Sequence, residues 1–152
     1  MAQGGAKAEA FDAFVRETEP RLRRALVARY GADRGREATA EALGWAWVHW
    51  RRVESMSNPV GYLYRVGQSR TRRRRSGYSE QPVSAPVPWI EPALDAALRD
   101  LSEQQRVAVV LVHGFGWTAS EVGELLGVKT TTVQTHVERA LVRLRVSLEA
   151  TT

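Results

Sequence analysis

The strongest constraint on the fold lies between Ser102 and Arg145, where signals for helix starts and stops follow one another closely. Ser102 to Gln105 and Thr118 to Glu121 each place a hydroxyl residue three positions before a Gln or Glu, the capping-box pattern of a helix N-terminus. Gly127 then predicts a turn, because glycine often follows the last turn of a helix. An apolar stripe predicts the next helix, through Val133, Val137, Leu141, Leu144 and Leu148.

A short capped helix, a turn of about three residues and a longer helix are typical of a helix-turn-helix unit, whose second helix enters the major groove of DNA. If the apolar stripe faces the core, the step of about 100° per residue turns a set of polar side chains outward or to the flanks. These are Thr131, Thr132, Gln134, Thr135, His136 and Arg139. Such side chains bond base edges or phosphates. A surface helix without a ligand is the other interpretation of the pattern.

Three further helices are predicted in the first part of the chain. Apolar spacing indicates one from Phe11 to Tyr30 and a second from about Asp33 to Val53. Asn58-Pro59 predicts the start of a third, which runs into Arg72–Arg75, because asparagine caps exposed amides and proline suits the first helical position. Large aromatic side chains dominate small cores, so three tryptophans are expected there, namely Trp45, Trp47 and Trp50.

A segment rich in proline and small polar residues, Ser76 to Pro92, separates the two parts. Proline cannot continue a helix, so this segment is expected to be an extended linker. The expected fold class is all-α, with two small helical domains joined by a Pro-rich linker and a helix-turn-helix in the C-terminal one. The predicted boundaries are a disordered N-terminus at 1–9, a helical domain at 10–75, the linker at 76–91 and the helix-turn-helix domain at 92–149.

Charge is distributed unevenly between these parts. The chain has a net charge of +5 and a pI near 10.2. Residues 1–88 carry 16 basic and 9 acidic side chains, whereas residues 89–152 carry 6 and 8. Clustered arginines neutralise phosphates and release counterions, so the composition favours a nucleic-acid partner and binding that weakens with salt.

Several classes of function are disfavoured. Without cysteine the chain has no disulfide, thiolate metal ligand or cysteine nucleophile. The three histidines, at 49, 113 and 136, have no constellation of metal-ligand spacing around them, so no catalytic residue, metal, cofactor or small-molecule substrate is expected. The N-terminus lacks the apolar core of a signal peptide, and the run Val107 to Val112 is too short to cross a bilayer. A cytoplasmic protein without membrane insertion is predicted.

The second part resembles the C-terminal DNA-binding region of bacterial sigma factors of the extracytoplasmic-function (ECF) group. The matching motifs are Leu98 and Leu101, Gln105-Arg106, Gly116, Glu121 to Gly123, Leu126-Gly127, Thr132 to His136, Arg139 to Leu141 and Leu144-Arg145. In that family this region reads the −35 promoter element. The resemblance therefore implies −35 contacts by Lys129, Thr131, Thr132, Gln134, Thr135, His136 and Arg139.

The first part resembles the N-terminal region of the same sigma factors. The order and spacing of the family's motifs are found here in Glu37, Glu41, Trp47, Pro59, Tyr62 to Gly67 and Arg72–Arg75. The resemblance implies docking on RNA polymerase by Glu37, Glu41 and Trp47. It also implies contacts with the melted −10 element by a second set of residues: Tyr62, Arg65, Gln68, Ser69, Arg72 and Arg73.

Departures from the family pattern keep a second interpretation open. Ala40 stands where the family has Gln, and Gln68-Ser69 stands where the family has Arg-Asn. In the second part, Gln134 to His136 stand where the family has Lys-Ser-Arg, which reduces the attraction to phosphates. A sigma factor would have promoter DNA, the beta and beta-prime subunits of core polymerase and an anti-sigma factor as partners. The alternative is a sigma-like or LuxR-type helix-turn-helix regulator, which binds DNA without initiating transcription.

Overall fold

The computed structural model describes residues 2–75 and 91–150, with the side chains of 2–3 and 72–75 excepted. Within these ranges the chain is all-α, as predicted, and contains no strand. The helices are α1 (Ala2–Tyr30), α2 (Ala32–Val48), α3 (Trp50–Glu54), α4 (Pro59–Arg75), α5 (Pro92–Arg99), α6 (Glu103–Val109), α7 (Ala119–Leu126) and α8 (Thr130–Ala150). We call α1 to α4 the first block and α5 to α8 the second block. Residues 76–90 of the predicted linker lie outside the described residues.

The first block is built around a close crossing of α1 and α2. After Tyr30, Gly31 turns the chain with a φ of 90°, which glycine adopts without steric cost. Gly35 then lies so close to α1 that a Cβ atom on it would be 2.5 Å from the Cα of Val27. The crossing therefore requires glycine. The buried side chains around it are small or aliphatic: Leu22, Leu26, Ala38, Ala42, Ala46 and Leu63.

Two predictions for the first block are corrected. Helix α1 begins at Ala2, so residues 2–9 are helical where a disordered N-terminus was expected. The segment is rich in alanine, which has the highest helix propensity, and the Lys7 ammonium lies 4.2 Å from the centroid of the Trp47 ring. The second predicted helix is interrupted at His49, which has a φ of −108° and separates α2 from α3. Both the backbone N–H and the Nδ1 of His49 lie 3.0 Å from the carbonyl oxygen of Trp45.

The predicted helix starts are confirmed. The backbone N of Gln105 donates to Ser102 Oγ at 3.2 Å, and that of Glu121 donates to Thr118 Oγ1 at 3.0 Å. Each capping box has a second hydrogen bond in the opposite direction. The backbone N of Ser102 donates to Gln105 Oε1, and that of Thr118 donates to Glu121 Oε1. After α6 the chain continues as a π-helical turn over Val110–Gly114 before it reaches α7.

The turn of the helix-turn-helix has the predicted glycine conformation. Gly127 has a φ of 70°, and its N–H donates to the carbonyl of Gly123 at the end of α7. The N–H of Val128 donates to the same carbonyl at 3.0 Å. A Cβ atom on Gly123 would lie 2.8 Å from the carbonyl oxygen of Val128, so the turn folds back closely on α7.

The two blocks are docked on each other. One hydrophobic cluster runs through both, with Leu22, Leu26 and Tyr64 from the first block and Val107, Leu111, Trp117 and Val122 from the second. A smaller cluster lies within the second block, formed by Ala97, Leu101, Val109, Ala140 and Leu144. The predicted fold class, two helical domains with a C-terminal helix-turn-helix, is confirmed. Their common core was not predicted.

Candidate nucleic-acid interface

The first candidate surface is the N-terminal half of α8 together with the turn before it. Val133, Ala140 and Leu144 are buried, so the opposite face of the helix meets solvent. Thr132 and His136 are half-buried at the edges of this face. The remaining predicted −35 residues are exposed on it: Lys129, Thr131, Gln134, Thr135 and Arg139. The fold thus brings all of the predicted −35 residues to one side of the helix-turn-helix.

Few hydrogen bonds within the protein occupy this surface. The Thr135 hydroxyl donates to the carbonyl of Thr131 at 3.1 Å, which leaves the oxygen lone pairs available. The His136 Nε2 atom is buried and has no hydrogen-bond partner among the described residues. Leaving such a polar atom unpaired costs about 1–3 kcal/mol. Because Nε2 is buried, it is not exposed on the face of α8 that meets solvent.

The basic residues near this surface are not equivalent. Arg143 fastens α8 to the rest of the second block, since its guanidinium donates to Gln105 Oε1 at 3.1 Å and to the Asp100 carbonyl at 2.8 Å. Lys129 and Arg139 are exposed and lie nearer to the turn, with the exposed Glu138 beside Arg139. Lys129 and Arg139 are therefore the exposed cations that lie nearest to the turn of the helix-turn-helix.

The second candidate surface is an aromatic group on the first block, which we call the tryptophan stack: Trp45, His49, Arg52 and Tyr62. The rings of Trp45 and His49 are stacked, with centroids 4.1 Å apart and an interplanar angle of 17°. The Tyr62 ring lies 5.4 Å from that of Trp45, and the Arg52 guanidinium lies 5.4 Å from the Tyr62 centroid. The side chains of His49 and Arg52 are exposed, and those of Trp45 and Tyr62 are half-buried. A flat π surface with a cation beside it suits the stacking of unpaired bases.

Only part of the tryptophan stack was predicted. Tyr62 was expected at the −10 surface, whereas the sequence placed Trp45, Trp47 and Trp50 in the core. Trp50 is buried at 9% exposure and Trp45 is half-buried against the same core, whereas Trp47 is 40% exposed, so the expectation is wrong for Trp47. The spacing of four residues between Trp45 and His49 could have indicated their contact. The approach of Arg52 depends on the break at His49, which the sequence did not reveal.

The other predicted −10 residues lie along α4. Arg65 and Ser69 are exposed, while Gln68 is half-buried. With its carboxamide oxygen turned toward α1, Gln68 accepts a hydrogen bond of 3.2 Å from the Arg29 guanidinium. Arg72 and Arg73 belong to the last turn of α4, and their side chains lie outside the described part of the structure.

The predicted polymerase-binding residues fall into two places. Glu37 is exposed and Glu41 half-buried, and their spacing of four residues puts them on one face of α2. Trp47 belongs to a separate aromatic group at the other end of α2, where its ring lies 5.1 Å from that of Phe11. The two carboxylates can therefore form one contact surface, which Trp47 does not share.

Three ionisable groups with shifted pKa values lie between the blocks. Burial alone lowers the pKa of Arg29, but the Tyr64 hydrogen bond at 3.1 Å and the Glu103 carboxylate at 2.6 Å outweigh it and raise the pKa. Burial raises the pKa of Tyr64, which therefore stays neutral. Hydrogen bonds from the backbone of Thr118 and from the Arg21 guanidinium hold the pKa of Glu121 below its ordinary value.

Two features are absent from residues 2–75 and 91–150, which the structure describes. In these ranges no three histidine, aspartate or glutamate side chains come together in a way that could hold a metal ion. The helices of the same ranges include none with the length and apolar character needed to span a membrane.

These features define an all-α protein with a helix-turn-helix in its second block and an aromatic, basic surface on its first. Residues 92–144 match the family model described as Sigma-70, region 4. The chain is also similar in structure to the sigma factor RpoE from Bartonella quintana, solved in complex with the anti-sigma factor NepR. The TM-score is 0.68 at 22% sequence identity, over 93% of this chain and 98% of that one. A search of the curated proteins gave no match.

The two matches support different statements. Residues 92–144, which include α5 to α7 and most of α8, match the model of the sigma-70 region 4 family. The likeness to RpoE shows that nearly the whole chain, first block included, has the fold of that sigma factor. The resemblance to sigma factors that the sequence predicted is thereby confirmed.

Proposed function

We propose that the chain is an ECF-type sigma factor, which binds core RNA polymerase and directs initiation at promoters with −35 and −10 elements. The observation that carries this proposal is the region 4 helix-turn-helix over residues 92–144, in a chain with the fold of a sigma factor. A helix-turn-helix by itself occurs in many regulators. The first block distinguishes a promoter-melting factor from a simple DNA binder.

In the −35 contact, α8 enters the major groove of duplex DNA. Thr131, Gln134 and Thr135 face outward and carry the donors and acceptors that read base edges. Lys129 and Arg139 neutralise phosphates on either side. With so few cations on the reading face, the second block on its own binds DNA weakly, and a stable promoter complex requires the polymerase and the first block.

In the −10 contact, the first block binds unpaired bases of the melted strand. Bases stack on the tryptophan stack, where each base gains about 1–3 kcal/mol from an aromatic partner. Arg52 and Arg65 are exposed beside the rings and attract the phosphates of the strand. Trp45, His49 and Arg52 thus join Tyr62, Arg65, Gln68 and Ser69 as candidates for −10 recognition, with Arg72 and Arg73 at the end of α4.

The protein partners follow from the same proposal. Glu37 and Glu41 form a small acidic surface on α2 that suits a basic patch of the polymerase clamp. RpoE was solved with an anti-sigma factor, and an anti-sigma factor is proposed for this chain as well. A protein with these partners is proposed to act in the bacterial cytoplasm. No enzymatic activity of its own is proposed.

One observation favours the alternative of a regulator that does not initiate transcription. Gln68, which stands where the family has arginine, is bonded to Arg29 rather than free on the −10 surface. A chain with a weakened −10 contact would still bind duplex DNA through α8. The two functions differ in whether transcription depends on the chain.

In vitro transcription from a pool of random promoter sequences separates the two functions. Bacterial core polymerase, freed of other sigma factors, is supplied with the purified chain, and the transcripts are sequenced. A sigma factor produces start sites preceded by two shared elements, and these sites disappear without the chain. A non-initiating regulator retains DNA from the pool but yields no transcript above the core-only control, and that result would overturn the proposal.

A further inference from the structure

The solvent-facing side of the first two turns of α8 has no acidic side chain, lysine or arginine. The helix begins at Thr130, and residues 130–137 read Thr-Thr-Thr-Val-Gln-Thr-His-Val. Val133 is buried, whereas Thr131, Gln134 and Thr135 are exposed. In a helix-turn-helix the N-terminal residues of the second helix contact base edges. The groups that meet the bases are therefore hydroxyls and one carboxamide.

The Gln134 carboxamide matches one of the four bases at two atoms. It places an acceptor oxygen beside a donor NH₂ group. In the major groove adenine places a donor, N6, beside an acceptor, N7, so both atoms of the carboxamide form hydrogen bonds. Guanine presents two acceptors, O6 and N7, and one of them would face the carboxamide oxygen. Cytosine and thymine each present a single polar group. Gln134 therefore fits adenine best.

The Thr135 hydroxyl is left with its lone pairs only. Its proton is donated to the carbonyl of Thr131 at 3.1 Å, so toward DNA the oxygen accepts and does not donate. The donors in the major groove are the amino groups of adenine and cytosine, whereas guanine and thymine present acceptors. Adjacent helical residues point about 100° apart, so Thr135 reaches a different base from Gln134. Thr135 therefore favours an adenine or a cytosine.

The side chains that ordinarily read guanine are missing from these two turns. Guanine is most often read by arginine or lysine at O6 and N7. His136 is half-buried, and its Nε2 is buried without a hydrogen-bond partner among the described residues. Lys129 precedes the helix, and Arg139 lies about 6 Å farther along the axis than Thr135. Both cations thus flank the reading residues and suit phosphates.

We propose that Gln134 and Thr135 determine the sequence of the −35 element, and that they select adenine at one base pair and adenine or cytosine at the next. This rests on the proposed function in one respect, the binding of duplex DNA by α8. Guanine is disfavoured at both positions. A well-formed contact of this kind separates the right base from the wrong one by roughly 5- to 150-fold in affinity.

Selection from random duplex DNA tests the assignment of Gln134. The chain in complex with core polymerase retains duplexes from a random pool, and these are sequenced. We expect an element with one fixed adenine, which Gln134→Lys should change to guanine, because lysine bonds guanine O6 and N7. Gln104→Lys, which adds the same charge at an exposed glutamine of α6, should leave the element unchanged. The same element from all three chains would overturn the proposal.

A single-atom change in the DNA tests the same contact. Replacing the fixed adenine by 7-deazaadenine removes the N7 acceptor and leaves the pairing with thymine intact. We expect the unchanged chain to bind the altered duplex roughly 5-fold more weakly or worse, because one of its two hydrogen bonds is lost. Gln134→Ala, with its helical circular dichroism retained, should bind both duplexes equally. Equal losses in the two chains would show that Gln134 does not contact N7 and would overturn the assignment.

A pair of threonine variants tests the neighbouring position. Thr135→Val replaces the hydroxyl by a methyl group of similar size, so we expect any base to be accepted there. Thr135→Ser retains the hydroxyl and should retain the preference for adenine or cytosine. An unchanged preference in Thr135→Val would refute the role of the hydroxyl. The selection depends on binding alone, so an enriched element from which the chain does not initiate would refute the proposed function and leave the base assignment standing.

Discussion

The two candidate DNA surfaces differ in the chemistry that they offer. The α8 face presents hydroxyl and amide groups with two exposed cations, Lys129 and Arg139. The tryptophan stack presents aromatic rings with Arg52 beside them. Donors and acceptors on a helix read the edges of paired bases, whereas aromatic rings bind bases that have left the duplex. Under the proposed function, the second block binds duplex DNA and the first block binds single-stranded DNA.

The two blocks also differ in the contacts that stabilise each of them. The second block depends on local devices, namely two capping boxes and a glycine turn. The first block depends on a contact between distant residues, the crossing at Gly35. Substitutions should therefore affect the two blocks in different ways.

The largest effect is expected at the helix crossing of the first block. Gly35→Ala places a Cβ atom 2.5 Å from the backbone of Val27, so the helices must move apart, at a cost of about 2–3 kcal/mol in the free energy of unfolding. Gly44→Ala on the same helix meets nothing within 4 Å and should stabilise the chain by about 0.5–1 kcal/mol. Urea unfolding followed by circular dichroism measures both variants. Equal effects would show that the crossing is not tight.

The second prediction concerns single-stranded DNA. Trp45→Ala should weaken binding of a −10 non-template oligonucleotide to the chain–polymerase complex by roughly 5- to 150-fold, because about 1–3 kcal/mol of stacking is lost. Duplex binding by α8 should be unchanged. Phe115→Ala serves as a control, since Phe115 is an exposed aromatic residue of the second block. Fluorescence anisotropy gives both affinities, and a similar loss in the two variants would mean that the tryptophan stack has no special role.

The third prediction concerns duplex DNA. Arg139→Ala should weaken binding to the upstream element by a few-fold, equivalent to about 1 kcal/mol, and should lower the salt slope by about one unit if the contact is to phosphate. Binding to core polymerase should not change. The matched control is Arg143→Ala, whose guanidinium bonds within the second block and should affect stability instead. Equal loss of DNA and polymerase binding in Arg139→Ala would mean that Arg139 is structural.

The smallest effect is a pH dependence at Glu121. Hydrogen bonds from the Thr118 backbone and the Arg21 guanidinium hold its pKa below the ordinary 4.5. A carboxyl group with a depressed pKa in the folded state stabilises the fold above its unfolded pKa, and this contribution is lost as pH falls through the folded pKa. The difference in unfolding free energy between the unchanged chain and Glu121→Gln should therefore shrink as the pH falls from 7 to below 4.5. Glu138→Gln is the exposed control, and a difference that does not vary with pH would contradict the assignment.

The sequence predicted the second block well because its signals are local. Ser102, Thr118 and Gly127 each act on residues within one helical turn, so their effect can be read without knowing the rest of the fold. The same holds for Asn58, which caps α4 as predicted. The polar face of α8 followed from helical geometry alone, and all of its predicted residues lie on or beside that face.

The features that the sequence did not reveal depend on distant contacts. The break at His49 accompanies a stack with Trp45 that also involves Tyr62 of α4. The role of Gly35 appears only when α1 lies against α2. The Arg106 guanidinium donates to the carbonyls of Ala28 and Arg29 at the end of α1. The sequence gave no sign of this contact, because the partners lie more than seventy residues apart. The docking of the blocks is thus a tertiary property, set by shape and charge across the whole chain.

Photo-cross-linking within a single promoter complex tests the central claim most directly. A photoreactive amino acid is placed at Gln134 or at Tyr62, and the chain is bound with core polymerase to a promoter recovered from the random pool. We expect Gln134 to cross-link to duplex DNA near the −35 element, and Tyr62 to cross-link to the non-template strand near −10 once the duplex has melted. Upstream cross-links that form equally well without polymerase, with none from Tyr62, would contradict the account and leave a simple helix-turn-helix regulator.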